Sequence, residues 1–205
     1  MALVEFMEKF PGVETVVQED TTAQLLKLAH GYEIDFALAS QPIRDERLEV
    51  KELFSEELLL ALRPGHPLTR KRTVAVADLK GERLIVMKEG HCLGDQVLRF
   101  CDRRDVKPKI SFRSAQLETI QALVSSGLGI SLIPAMAARD ECKDLPEYRS
   151  LRSPKPQRKI VAVWPKQRPP GRAANEFLKL VAARFGGSRS DISKWAAPRF
   201  DDRRQ

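Results

Sequence analysis

The chain has 205 residues, 42% of them hydrophobic, with 13 prolines and a formal charge of +7 from 35 basic and 28 acidic side chains. That is enough apolar material for one large or two small cores, while no apolar run approaches the roughly 18 residues needed to cross a bilayer. With no charged start followed by an apolar stretch and a cleavage site, the reading is a cytoplasmic protein without a membrane partner.

Three cysteines form an odd set, which argues against a secreted disulfide framework, and no C-x-x-C spacing offers a zinc site. No metal or other cofactor is expected. The basic residues are spread along the chain among acids and read first as solvated faces, and no helix-turn-helix or zinc-finger pattern stands within them.

In chain order, Leu3, Phe6, Met7 and Phe10 predict a short amphipathic helix closed by Pro11-Gly12, and Val13 to Glu19 alternates as a strand. A second helix, Thr22 to Ala29, leads through Gly31 to a strand from Ile34 to Ala39. Extended segments follow at Leu48 to Phe54 and Leu58 to Leu62, then a turn through Pro64 and Pro67. Leu84 to Met87 is a strand feeding a helix that opens near Cys92; Lys109 to Arg113 is the next strand and Leu117 to Ser125 the next helix. After Gly127 and Gly129 the run Ile130 to Ile133 ends at Pro134, with further strands near Leu145 to Leu151 and Ile160 to Trp164. Ala173 to Phe185 is the last helix, and Gly186 to Gln205 reads as a poorly ordered tail. Strands alternating with helices imply an α/β fold with parallel sheets covered on both faces, in which ligands sit outside strand ends beside helix N-termini.

The most informative stretch is Gly90-His91-Cys92-Leu93-Gly94-Asp95-Gln96 with Cys101 nine positions after Cys92. Val97, Leu98, Phe100 and Cys101 lie on one apolar stripe, and Asp95 suits the positive first turn of a helix. Backbone N–H groups at a helix start favour a thiolate, and a protonated His91 would add to this. The expectation is an acidified, reactive Cys92 and a less reactive Cys101 on the apolar face. Nine helical residues put the two thiols on opposite faces and roughly 13 Å apart, whereas a disulfide needs alpha carbons within roughly 4.4–6.8 Å. If the segment is helical when reduced, oxidation must break the helix. About 5.5 kcal/mol of differential stability moves such an equilibrium from 1:99 to 99:1, so the pair is suited to a redox switch. The plain alternative for each cysteine is a small buried hydrophobe. A hydrolase built on Cys92, His91 and Asp95 is disfavoured, because such partners usually come from distant segments.

The run Phe112-Arg113-Ser114-Ala115-Gln116-Leu117-Glu118-Thr119 through Val124-Ser125-Ser126-Gly127-Leu128-Gly129-Ile130-Ser131-Leu132-Ile133-Pro134 resembles the effector-domain signature of LysR-type transcriptional regulators. Within that family, the Gly90 to Gln96 segment with Phe100-Cys101 resembles the peroxide-sensing OxyR branch. The resemblance implies two Rossmann-like α/β subdomains joined by two crossover strands, as in periplasmic binding proteins. Subdomain I would comprise residues 1–57 and 162–187, and subdomain II residues 58–161 with the redox cysteines; 188–205 would be a disordered tail. Cys92 would match the peroxidatic cysteine and Cys101 the resolving cysteine, with His91, Asp95 and Arg158 as polar pocket residues and Thr22 as a hydroxyl on the ligand. The implied partners are hydrogen peroxide, a second copy in a homodimer or tetramer, and thiol reductants such as glutaredoxin or thioredoxin. Promoter DNA would be reached only through a helix-turn-helix module outside this sequence. No enzymatic activity is implied. The alternative is an effector domain of a non-redox LysR-type regulator that binds a small metabolite.

Taken residue by residue, Thr22 reads equally as a helix cap and Arg158 as a solvated cation. Gly94 stands where the branch carries a larger basic residue; a helical glycine costs about 1 kcal/mol relative to alanine, which points to easier unwinding. Cys142 has no counterpart in the family pattern. In the family a strand with a Thr-centred turn comes before the first helix, and this sequence opens on that helix, so the first subdomain is expected to be short of a strand and marginal in isolation.

Overall fold

The computed structural model describes residues 2–138 and 145–186. Cys142 and the tail 188–205 lie outside the described residues. The helices are α1 (Ala2–Lys9), α2 (Thr22–His30), α3 (Cys92–Asp102), α4 (Leu117–Ser125) and α5 (Arg172–Phe185). The strands are β1 (Ala37–Ser40), β2 (Leu48–Leu62), β3 (Thr73–Val74), β4 (Arg83–Met87), β5 (Lys109–Ser114), β6 (Ser131–Pro134), β7 (Glu147–Leu151) and β8 (Gln157–Pro165).

One sheet runs β1-β8-β2-β7-β3 with β6 also on β2, and β4 pairs with β5 in a second. The two extended segments expected at 48–54 and 58–62 are one strand of 15 residues, interrupted only by a bulge between Glu52 and Phe54. Its first part, Leu48 to Glu57, pairs with β8, and its last, Leu58 to Leu62, pairs with β6 and β7. The expectation of parallel sheets holds for β4–β5 and β3–β7 and for an isolated parallel bridge between Leu84 and Ile130. Elsewhere the pairing is antiparallel, because β2 and β8 run in opposite directions through the middle of the molecule and every other partner aligns on them.

Alternate residues of these two strands feed different cores, as the two-residue period of a strand requires. Val161 and Val163 of β8 pack with Ala37, Ala39 and Leu48, whereas Ala162 and Trp164 pack with Leu53, Phe54 and Leu178. Further along β2, Leu58, Leu60 and Leu62 enter a larger cluster with Leu84, Val97, Cys101 and Leu132, and Ala61 faces Ile85, Ile120 and Ile133.

The segment expected as a strand at Val13 to Glu19 is not one: its backbone joins no ladder, and Val16 and Val17 are 84% and 71% exposed. Alternation permits a strand, but a neighbouring chain must supply the hydrogen bonds, and β1 lies at the sheet edge with β8 as its one partner. The helix that follows is capped by Thr21, whose Oγ1 accepts from Gln24 N at 3.3 Å, so Thr22 is the first helical residue rather than the cap.

Candidate functional site: the cysteine helix

Strand β4 ends at Met87, the chain turns through Gly90 at φ +91°, and α3 begins at Cys92. That left-handed turn suits glycine. α3 is continuous from Cys92 to Asp102, so both cysteines belong to one helix, and both are free thiols. Nine residues of unbroken helix separate them by about 13 Å along the axis.

The two thiols occupy different environments. Cys92 is half-buried in the first turn. Cys101 is 1% exposed among Leu58, Val97 and Leu132, and burial, with a smaller contribution from the Asp102 charge, pushes its thiol up to about 11. At neutral pH Cys101 is a packed, protonated thiol.

His91 is the residue before the helix and makes no side-chain cap to the backbone. Asp95 is exposed in the first turn, near the helix's positive end. Thr22 stands at the start of α2. Arg158, on β8, donates from Nε to Glu56 Oε1 at 2.6 Å and from Nη2 to Met136 Sδ at 3.6 Å; Glu56 also accepts the Met136 N–H. Among the described residues no hydrogen bond joins Thr22 or Arg158 to Cys92.

Two residues have roles that the sequence reading did not assign. Gly94 is buried against β4: a Cβ there would stand 2.7 Å from the Met87 carbonyl oxygen, so glycine lets α3 sit on the end of that strand. Gln96 donates from Nε2 to Ser40 Oγ at 2.7 Å and to the Gln41 carbonyl at 2.6 Å, tying α3 to the end of β1. The helical period, which places Gln96 one turn after Cys92 at the margin of the apolar stripe, was a usable signal for it. The sequence marked Gly94 as a helical glycine that eases unwinding, whereas its close approach to the Met87 carbonyl is visible only in the fold.

No group of three His, Cys, Asp or Glu side chains is placed to hold a metal among the described residues, and none of their helices is long and apolar enough to cross a membrane.

The architecture is mixed α/β, with the cysteine helix opening at the end of a buried strand. The family model described as "LysR substrate binding domain" matches residues 2–186, and the chain belongs to that family. It is 32% identical over 190 residues to the DNA-binding transcriptional dual regulator OxyR of Escherichia coli K12, covering 92% of this chain and 62% of that protein. The chain thus spans about three-fifths of the length of that relative. It also resembles the crystal structure of the reduced form of OxyR at 30% identity, with a TM-score of 0.80 and coverage of 90% of this chain and 87% of that one. To the crystal structure of the oxidized form the identity is 29% and the TM-score 0.74, over 89% and 86% of the two chains.

Proposed function

We propose that this chain is the hydrogen-peroxide-sensing regulatory domain of a LysR-type transcription regulator, and that it switches through Cys92 and Cys101. The observation that carries the reading is α3 itself, one uninterrupted helix that keeps a half-exposed thiol and a buried thiol too far apart to bond. The 32% identity to OxyR of Escherichia coli over 92% of this chain supports it.

In the first step the Cys92 thiolate attacks one peroxide oxygen, the O–O bond breaks, and the leaving hydroxide takes a proton to become water. Cys92 is then a sulfenic acid. Hydrogen-bond donors around the leaving oxygen lower the barrier; this is the role assigned to His91, Arg158 and Thr22, with Asp95 as a further polar residue of the pocket. In the second step the Cys101 sulfur attacks the Cys92 sulfur, a disulfide forms and a second water leaves. Because Cys101 is packed and protonated in the helix, α3 must open before that step. The opened α3 then repacks the interface between copies of the domain. Residues 1–57 with 162–187 form the first subdomain in this reading, and 58–161 the second. The assembly is a cytoplasmic homodimer or tetramer that meets promoter DNA through a helix-turn-helix module, and glutaredoxin or thioredoxin restores the thiols.

The test is treatment with stoichiometric peroxide followed by disulfide mapping by mass spectrometry. A Cys92–Cys101 link is expected; an untouched or hyperoxidised Cys92 overturns the reading.

A further inference from the structure

Met7, Met87 and Met136 are the methionines among the described residues, and they differ in what surrounds the sulfur. Met87 is half-buried against two apolar clusters. Met7, on α1, and Met136, in the turn Ala135–Ala137 after β6, are each 51% exposed. Exposure therefore gives a dissolved oxidant equal access to these two. A thioether is soft and polarizable, it reacts without first losing a proton, and peroxide converts it to a sulfoxide. Met136 belongs neither to the cysteine helix nor to the residues assigned to the peroxide pocket.

Their polar neighbours separate them. Met136 Sδ accepts from Arg158 Nη2 at 3.6 Å, and the Met136 N–H donates to Glu56 Oε2 at 3.0 Å. Glu56 Oε1 in turn accepts from Arg158 Nε at 2.6 Å. The Arg158 and Glu56 side chains are 16% and 9% exposed, so the guanidinium is held beside the sulfur. A guanidinium has N–H donors on all three nitrogens. The bonds to Glu56 and Met136 use one from Nε and one from Nη2, and the rest have no partner among the described residues. No donor stands on the Met7 sulfur among the described residues.

We propose that Met136 is a modification site, oxidised by peroxide in preference to Met7 because Arg158 stands at its sulfur. The sulfur lone pair attacks one peroxide oxygen, a sulfur–oxygen bond forms and the O–O bond breaks. The distal oxygen leaves as hydroxide and takes the proton from the oxygen now on sulfur, so the products are the sulfoxide and water. Sulfur is oxidised by two electrons and the peroxide is reduced. An Arg158 N–H donated to the departing oxygen stabilises its negative charge. The sulfoxide oxygen is a better acceptor than the thioether, which is a weak one, and it keeps an Arg158 N–H after the reaction.

Oxidation of Met136 acts on the switch, and that part alone rests on the redox reading above. Arg158 is among the donors assigned to the Cys92 reaction, so a sulfoxide at position 136 draws it away and slows that reaction. Thiol reductants restore the two cysteines, whereas the sulfoxide is returned by dedicated reductases. The slowing therefore outlasts the disulfide.

The experiment is a time course of hydrogen peroxide treatment of the intact protein, with sulfoxide at Met7 and Met136 followed by peptide mass spectrometry. Met136 is expected to react about fivefold faster than Met7, the scale of one ordinary hydrogen bond. In Glu56→Gln/Arg158→Gln, which removes the cation together with its counter-charge, the Met136 rate should fall to that of Met7. Equal rates in the native protein, or a preference that survives in the double variant, overturn the site. If the double variant does not fold, the ratio in the native protein decides alone. The coupling is read by giving the protein one pulse of peroxide, reducing it with a thiol and pulsing it again. Disulfide formation slower in the second pulse than in the first, in the native protein but not in the volume-conserving Met136→Leu, supports it. Equal rates in the two pulses remove the coupling. If no disulfide forms in the first pulse, the redox reading fails while the Met136 to Met7 ratio still decides the site.

Discussion

The part of the molecule around α1, α2, β1 and α5 is packed differently from the part around β3 to β7, α3 and α4. The first buries many small side chains, Ala2, Ala29, Ala37, Ala39, Ala162 and Ala182 among them, and closes its sheet with the four-residue β1. Of the largest fully buried side chains, all but Leu178 belong to the second part or to the end of β2 that enters it. The difference bears on the proposed switch: α3 is anchored on the densely packed side, through Leu93, Val97 and Cys101, and among the described residues its side-chain hydrogen bonds to the thinner side are those of Gln96. A rearrangement of α3 therefore extracts Cys101 from a real core while breaking few contacts across to β1.

The comparison is broken most directly by truncating a core side chain on each side. Leu132→Ala removes a residue 1% exposed and is expected to cost about 2–5 kcal/mol in a denaturant titration. Leu25→Ala, a half-buried position against the smaller cluster, is expected to cost about 1 kcal/mol; equal losses would erase the distinction.

The next effect is a pH dependence centred on Cys101. Its thiol is held at about 11 against an ordinary 9.0, so the folded state keeps a proton that the unfolded state releases first. Its stabilising effect is complete below pH 9 and is lost as pH rises toward 11, by about 2–3 kcal/mol. Stability measured against pH in that window should fall more steeply in the native protein than in Cys101→Ala, and parallel curves would show that the buried environment of Cys101 is not maintained in solution.

Gly94→Ala sharpens the account of how α3 is seated. Helix propensity alone favours alanine by about 1 kcal/mol, whereas the new Cβ would press on the Met87 carbonyl oxygen at 2.7 Å. Overpacking of this kind typically costs about 1–3 kcal/mol, so the net expectation is a lowered melting temperature. A raised one would mean that α3 lies further from β4.

The smallest effect is read by amide hydrogen exchange. Residues 14–20 join no ladder and should exchange with an opening free energy near zero, while β2 amides at Leu60 and Leu62 should approach the global value. Protection across Val16 and Val17 would indicate that a partner chain pairs with them.

The helices were largely legible in the sequence. Leu117–Ser125 is where its periodicity placed it, and α3 begins at Cys92 as the Gly90 turn and the Val97 to Cys101 stripe required. The strands were less so. Nothing between Phe54 and Leu58 marks whether β2 stops, because Ser55-Glu56-Glu57 is polar and reads as a break; it continues because β8 pairs with it through Glu57. Val13 to Glu19 erred in the other direction. Arg158 could be read as a free cation until β8 brought it opposite Glu56, 102 residues away in the chain.

The amino-acid order alone settled the features that near neighbours dictate: the helical periods, the turn at Gly90 and the nine-residue separation that keeps the cysteines of one helix from bonding. The tertiary structure decided the features that depend on distant partners, namely which extended segment finds a ladder, that Cys101 is sealed while Cys92 is not, that Gly94 fits under a carbonyl, and that Arg158 meets Glu56. Local periodicity is set by covalent geometry over a few residues, whereas burial, pairing and charge compensation belong to groups that only the folded chain brings together.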